Sequence, residues 1–227
     1  MTGVLFSPAK TFDGLAARPT WVVALLVLLL AGVVTSYLAV DRVDFEEAIR
    51  EQLEARNRPV PDDSGLEGIA RVQKIFAWAV GPVVFASAFY FLAALLFWLG
   101  MRLAGSEMGY MPAVSTTLHG YMPAVVKALV TIPVILGRAE ITVEELQTGS
   151  LLASNLSFLA PEEAGPVVTS LLSSVDLFSI WSIVLLGMGF SIVGKISRQS
   201  ATVTVVVVWL IGVAAKVGFA ALGQAFS

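Results

Sequence analysis

Residues 175–222 read VDLFSIWSIVLLGMGFSIVGKISRQSATVTVVVVWLIGVAAKVGFAAL, and this stretch decides the fold. Two apolar runs, 177–194 and 202–222, flank a polar joint at 195–200. Each run is close to the ~20 residues that cross a hydrocarbon core as helix. The stretch therefore predicts a transmembrane helical hairpin. It holds no catalytic or metal-binding set.

The rest of the chain agrees. Of 227 residues, 57% are hydrophobic and 14% charged, with mean hydropathy +0.84. Soluble domains carry about a quarter charged residues, so an integral membrane protein of one domain, residues 1–227, is expected. A net charge of -3 gives no reason to expect nucleic acid as a partner. No cysteine is present and His119 stands alone, which removes thiolate nucleophiles, disulfides and His-rich metal centres. No His-Glu-x-x-His pattern, Walker motif or ionisable relay occurs in the apolar runs, so neither an enzyme nor a cofactor is expected.

Five apolar segments bounded by charge, Gly or Pro stand out, at 20–40, 75–100, 121–137, 177–194 and 202–222. The expected fold is all-α, with five transmembrane helices, an N-terminal interfacial helix and two structured outer loops. The interfacial helix, 8–17, opens on Ser7-Pro8 and is expected to lie on the membrane surface through Phe12, Leu15 and Ala16. In the first loop, Phe45, Ile49 and Leu53 recur at helical spacing, with Glu46–Arg50 and Glu54–Arg58 at i,i+4. Pro59 and Pro61 end that helix, and Ser64-x-x-Glu67 has a capping-box pattern. A helix from there to Gly100 would be about 54 Å long. The loop reads either as a solvated hairpin closing the bundle or as a docking face. In the second loop, Thr142-x-x-Glu145 is a capping box, and Pro161-Glu162-Glu163 suits a helix start. Leu151, Leu152, Leu156, Phe158 and Leu159 can lie on the bundle or the lipid.

The word GYMPAV occurs twice, at 109–114 and 120–125. It reads as two helix starts at the interface, or as a cytoplasmic recognition surface of Tyr110, Pro112, His119, Tyr121 and Pro123. Lys127 is expected to snorkel to the cytoplasmic interface. Folding the last hairpin at Gln199 brings Lys216 level with Asp176, which suggests a structural ion pair. Small residues at packing spacing, chiefly Gly187, Gly189, Ser191, Gly194, Ala214 and Gly218, suit close helix approach.

With these words in hand, the chain resembles the Yip family of Ypt/Rab-interacting membrane proteins. The matching places are Pro8…Phe12…Pro19, Gly120-Tyr121-Met122-Pro123, and Asp176-Leu177-Phe178-Ser179-Ile180-Trp181 through Gly189, Lys195, Ser197 and Ala201 to Trp209. The resemblance implies five spans, a cytoplasmic N-terminus and an outside or lumenal C-terminus. For eukaryotic members it implies Golgi and endoplasmic-reticulum trafficking and binding of Rab-type GTPases. About 19 residues precede the first span here, fewer than in those members. That points to the bacterial branch in an inner membrane, with a Golgi or endoplasmic-reticulum membrane as the alternative. The expected function is non-enzymatic scaffolding of membrane components or assistance to membrane trafficking. The alternative is a permease or exporter accessory for lipid-like or small solutes, with Thr35, Ser36, Ser87, Thr131, Ser182 and Ser191 as its polar candidates. Expected partners are membrane lipids, other membrane proteins including a transporter, and further copies of the chain.

Overall fold

The computed structural model describes residues 3–161 and 164–225, and every described element is helical or irregular. A short turn, α1 (Gly3–Phe6), precedes α2 (Pro8–Ala17), which Pro8 starts in its first turn. Its bounds are those expected, but its apolar face is used differently. Phe12 is fully buried and Leu15 nearly so, both in the main core. The helix docks into the bundle instead of lying on the membrane through that face.

The first span, α3 (Val22–Val40), carries no charge along its length. Beyond it α4 (Phe45–Ala55) and α5 (Asp63–Ile75) form a hairpin held by Val40, Phe45, Ile49, Leu66 and Ala70. Asn57, at φ 51, turns the chain. The expected Ser64–Glu67 capping box does not form: Asp62 accepts from the Gly65 N–H, and Glu67 pairs with Arg71. The Asp62 carboxylate, two residues before Ser64, caps the helix at the Gly65 amide and also accepts the Ser64 hydroxyl. The i,i+4 pairs are also replaced. Arg50 lies 3.8 Å from both Glu47 and Asp63, because closing the hairpin brings α5 within its reach. Asn57 ends the helical path before Arg58.

From α5 the chain runs without a break through a π-helical stretch (Phe76–Phe85) into α6 (Ala86–Leu103), 41 residues in all. Two residues account for the widened turns. Pro82 has no N–H to donate. A Cβ on Gly81 would stand 2.9 Å from the Phe76 carbonyl oxygen. This stretch packs on α3, with Tyr37 edge-on to Trp78 at 5.4 Å.

The third span is the main correction. It begins at Tyr110, eleven residues earlier than 121, as α7 (Tyr110–Gly120), and continues after a short break as α8 (Pro123–Leu136). Both GYMPAV copies are helix starts, but in different registers: Gly109 caps α7, whereas Pro123 is the first residue of α8. Six polar or small residues, Ala113, Ser115, Thr116, Thr117, His119 and Gly120, let α7 sink among its neighbours. They also lower hydropathy there, which hides the span in the sequence.

The second loop contains α9 (Val143–Thr148), opened by the expected Thr142–Glu145 capping box, a 3-10 turn (Leu156–Leu159) and α10 (Pro166–Ser174). The expected helix start at Glu162 and Glu163 lies outside the described residues. Leu151 packs beside Ile135 and Ile141, whereas Phe158 and Leu159 are exposed. The last two helices are α11 (Leu177–Val193) and α12 (Arg198–Ala225). Among the described residues, four helices are long and apolar enough to cross a membrane, and α11, at 17 residues, is a shorter apolar fifth.

The Glu145 carboxylate titrates below the ordinary glutamate value, chiefly because the Thr142 N–H donates to it and then because Arg138 pairs with it at 2.5 Å. A lowered folded value stabilises above ~4.3, the unfolded value, and that contribution disappears as pH falls through the folded one. Amide exchange across residues 138–146 is therefore expected to accelerate on acidification. Glu145→Gln should show fast exchange already at neutral pH.

Candidate functional site

Asp176 caps α11, and its Oδ1 accepts the N–H groups of Phe178 and Ser179 at 2.9 and 3.3 Å. Its Oδ2 accepts Lys127 Nζ at 3.0 Å and Ser154 Oγ at 2.5 Å. The serine is delivered by a two-residue bridge, in which Leu156 N–H donates to Val175 O and Leu177 N–H to Ser154 O. Asn155 Nδ2 holds the preceding turn through Gly149 O at 3.3 Å. The Asp176 side chain is 5% exposed and that of Lys127 31%.

Asp176 therefore pairs with Lys127, and the expected Lys216–Asp176 pair is not formed. Lys216 Nζ instead donates to Ser173 Oγ at 2.7 Å, and that hydroxyl donates to Ser170 O at 3.1 Å. The cause is the shifted third span. Lys127, Asp176 and Lys216 each lie eighteen residues from the short-loop ends of their helices, at Gly109, Gly194 and Arg198. At about 1.5 Å per residue all three sit roughly 27 Å from that end. Lys127 is thus far from the short-loop interface to which it was expected to snorkel.

Two cavities meet at Lys127 and Ala124. One, of about 130 Å³, is walled by Asp176, Ser182, Phe178, Val205 and Trp209. The other, of about 300 Å³, lies between α3 and α8 under Leu151 and Leu152. Thr35, Ser36 and Thr131 line the second and Ser182 the first, while Ser87 and Ser191 lie apart from both. Thr35 and Thr131 spend their hydroxyls on carbonyls of their own helices, at 2.8 Å.

The expected recognition surface is interior. His119 and Pro123 are buried, and Pro112, Tyr110 and Tyr121 are half-buried. His119 Nδ1 donates to Ser115 O at 2.8 Å, since a carbonyl can only accept. Tyr110 donates to Phe91 O at 2.9 Å, and Tyr121 packs on Phe89 and Tyr90. Helix burial, which the short polar word concealed, consumed these groups.

The packing residues divide. A Cβ on Gly187 would meet Thr202 Oγ1 at 2.7 Å, and one on Gly194 would meet Met108 Cε at 2.8 Å. Gly189 faces the Phe12 ring of α2 instead of another span, and Ser191 bonds its own helix at Met188 O. Gly218 has open space around it and Ala214 is exposed, so that half of the expected motif packs against nothing in this chain. Gly120, which sequence reading did not single out for packing, abuts Leu186. Gly187→Leu is expected to destabilise by about 1–3 kcal/mol and Gly218→Leu by less than about 0.5, read as thermal unfolding in detergent.

A helical bundle with apolar faces outward, a paired charge layer near one end and long structured loops beyond it defines a polytopic integral membrane protein. The chain belongs to the Yip1-domain family, whose model matches residues 2–218. It is similar to membrane protein YknW of Bacillus subtilis (strain 168), at 25% identity over 212 residues, covering 91% of this chain and 84% of that protein. No solved structure matches it.

Proposed function

We propose that this protein is a non-enzymatic scaffold of a bacterial inner membrane, holding other membrane proteins and lipids by its helix faces. The observation that carries the reading is the internal use of its membrane-level polarity. Asp176 is filled by four donors, and Thr35, Thr116 and Thr131 bond their own helices, while the buried Thr117 hydroxyl has no partner among the described residues. That leaves rigid architecture in place of reactive groups. YknW is named only as a membrane protein, which agrees with a role in the membrane and adds no chemistry.

The N-terminus is cytoplasmic in this reading. The short-loop end carries Lys10, Arg18, Arg102, Lys195 and Arg198 in short segments close to span ends, whereas Arg42, Arg50, Arg56, Arg58, Arg71, Lys74 and Arg138 of the other end, though more numerous, sit among acidic residues of a folded loop and are discounted. The chain has no cysteine, so Gln52→Cys and Gln199→Cys report each end alone. An impermeant thiol reagent added to whole cells is expected to label the first and spare the second.

The permease alternative is favoured by one observation, the pair of cavities that share Lys127 as a wall. Protein-containing vesicles separate the two. A scaffold leaves the flux of fluorescent lipid and small solutes at the protein-free rate and cross-links to a partner at fixed stoichiometry in native membranes. Protein-dependent flux without such a complex overturns the scaffold.

A further inference from the structure

The charge layer does not balance within the described residues. Two lysines, Lys127 and Lys216, stand at one depth with the single carboxylate of Asp176. Both carboxylate oxygens are already filled by four donors, and the two ammonium groups repel each other. Lys216 reaches the neutral Ser173 hydroxyl and has no carboxylate within 4 Å among the described residues. It is exposed on α12, whose apolar faces on either side are exposed as well. A surplus ammonium at the edge of the hydrocarbon is costly unless an anion beyond the described residues meets it.

The depth of Lys216, roughly 27 Å from the short-loop end, is close to the ~30 Å of a hydrocarbon core. That puts it at the level of lipid head groups. Two helical turns deeper on the same helix, Trp209 walls the 130 Å³ slot together with Phe178, Ile183 and Val205. The slot is too small for a whole lipid but is open, with the Lys127–Asp176 pair in one part of its wall and mostly apolar residues elsewhere, so it receives part of an acyl chain whose remainder stays in the bilayer.

We propose that Lys216 and Ser173, backed by Lys127, bind the head group of an anionic amphiphile, a phosphate or carboxylate, with its acyl chain along the slot beside Trp209. This site stands whether the bundle scaffolds or transports, so its failure leaves the scaffold reading untouched.

Native mass spectrometry of the purified full chain tests it with dioleoyl phosphatidylglycerol, dioleoyl phosphatidylcholine and oleate. One lysine near a membrane surface predicts about a fivefold preference for the anion over phosphatidylcholine. Lys216→Gln should abolish that preference, Lys216→Arg should keep it, and Ser173→Ala should weaken it. Lys195→Gln, at the other end, should leave the Lys216-dependent part of the preference in place. Preference for phosphatidylglycerol alone identifies a phosphate head, and for oleate alone a carboxylate. Equal binding of all three by the native chain, or unchanged preference in Lys216→Gln at native thermal stability, overturns the proposal.

Discussion

Asp176→Ala is expected to cost about 3–5 kcal/mol, because removing one member of a buried pair leaves the other charge uncompensated. The carboxylate does three things at once: it caps α11, neutralises Lys127 and fastens Ser154 of the second loop. Asp176→Asn separates them. It keeps an acceptor for the Phe178 and Ser179 amides but loses the charge, so its cost should fall below that of alanine. The double variant Asp176→Asn with Lys127→Met should recover part of the loss, since an apolar pair of similar volume often replaces a buried ion pair at little cost. Thermal unfolding in detergent reads the stability. Amide exchange at residues 149–156 reads the loop separately. Equal stability of Asp176→Ala and the native chain would remove the pair from any structural role.

Phe12→Ala is expected to cost about 3–5 kcal/mol if the cavity persists, or to release α2 from the bundle if it does not. Phe12 is fully buried, and a Cβ on Gly189 would stand 2.6 Å from its ring at Cε1. A side chain at 189 and a phenyl ring at 12 therefore compete for one space. Gly189→Ala alone should destabilise, and Phe12→Leu should relieve the clash, so that the two changes together cost less than their sum. Protease access at residues 18–21 distinguishes release of α2 from a cavity left in place. Full additivity of the two substitutions would mean that α2 is not seated on α11 at Gly189.

Much of the fold was legible because the forces that set it act locally or through plain periodicity. The hairpin of α11 and α12 is written in two unbroken apolar runs, and the Thr142–Glu145 capping box forms as its spacing requires. The first-loop hairpin follows from Phe45 and Ile49 with Pro59 and Pro61 beyond them. The cap at Asp62 was missed because neighbouring polar residues compete for one helix start, and the Asp63 partner of Arg50 because only the closed hairpin brings it within reach.

The candidate site was less legible. Asp176 and Lys216 were visible as charges beside apolar runs, but their partners depend on the start of the third span. Hydropathy placed that start at Tyr121, because Ser115, Thr116, Thr117 and His119 make α7 look like a loop. All four are buried against neighbouring helices. Ser154 gave no signal at all, since it reaches Asp176 through a backbone bridge twenty-two residues away in sequence.

The sequence alone determined that the chain is a helical membrane protein, that its last two spans pair, and which family it resembles. These follow from how much apolar surface each segment must hide from water and from short fixed words. Only the tertiary structure decided that Lys127 takes Asp176, that α2 is a packed element, and that Gly218 is open while Gly120 is closed against Leu186. An ion pair between helices depends on the depth of each charge along its own axis. That depth is set by where every span begins, and the bundle fixes it by packing all of them together.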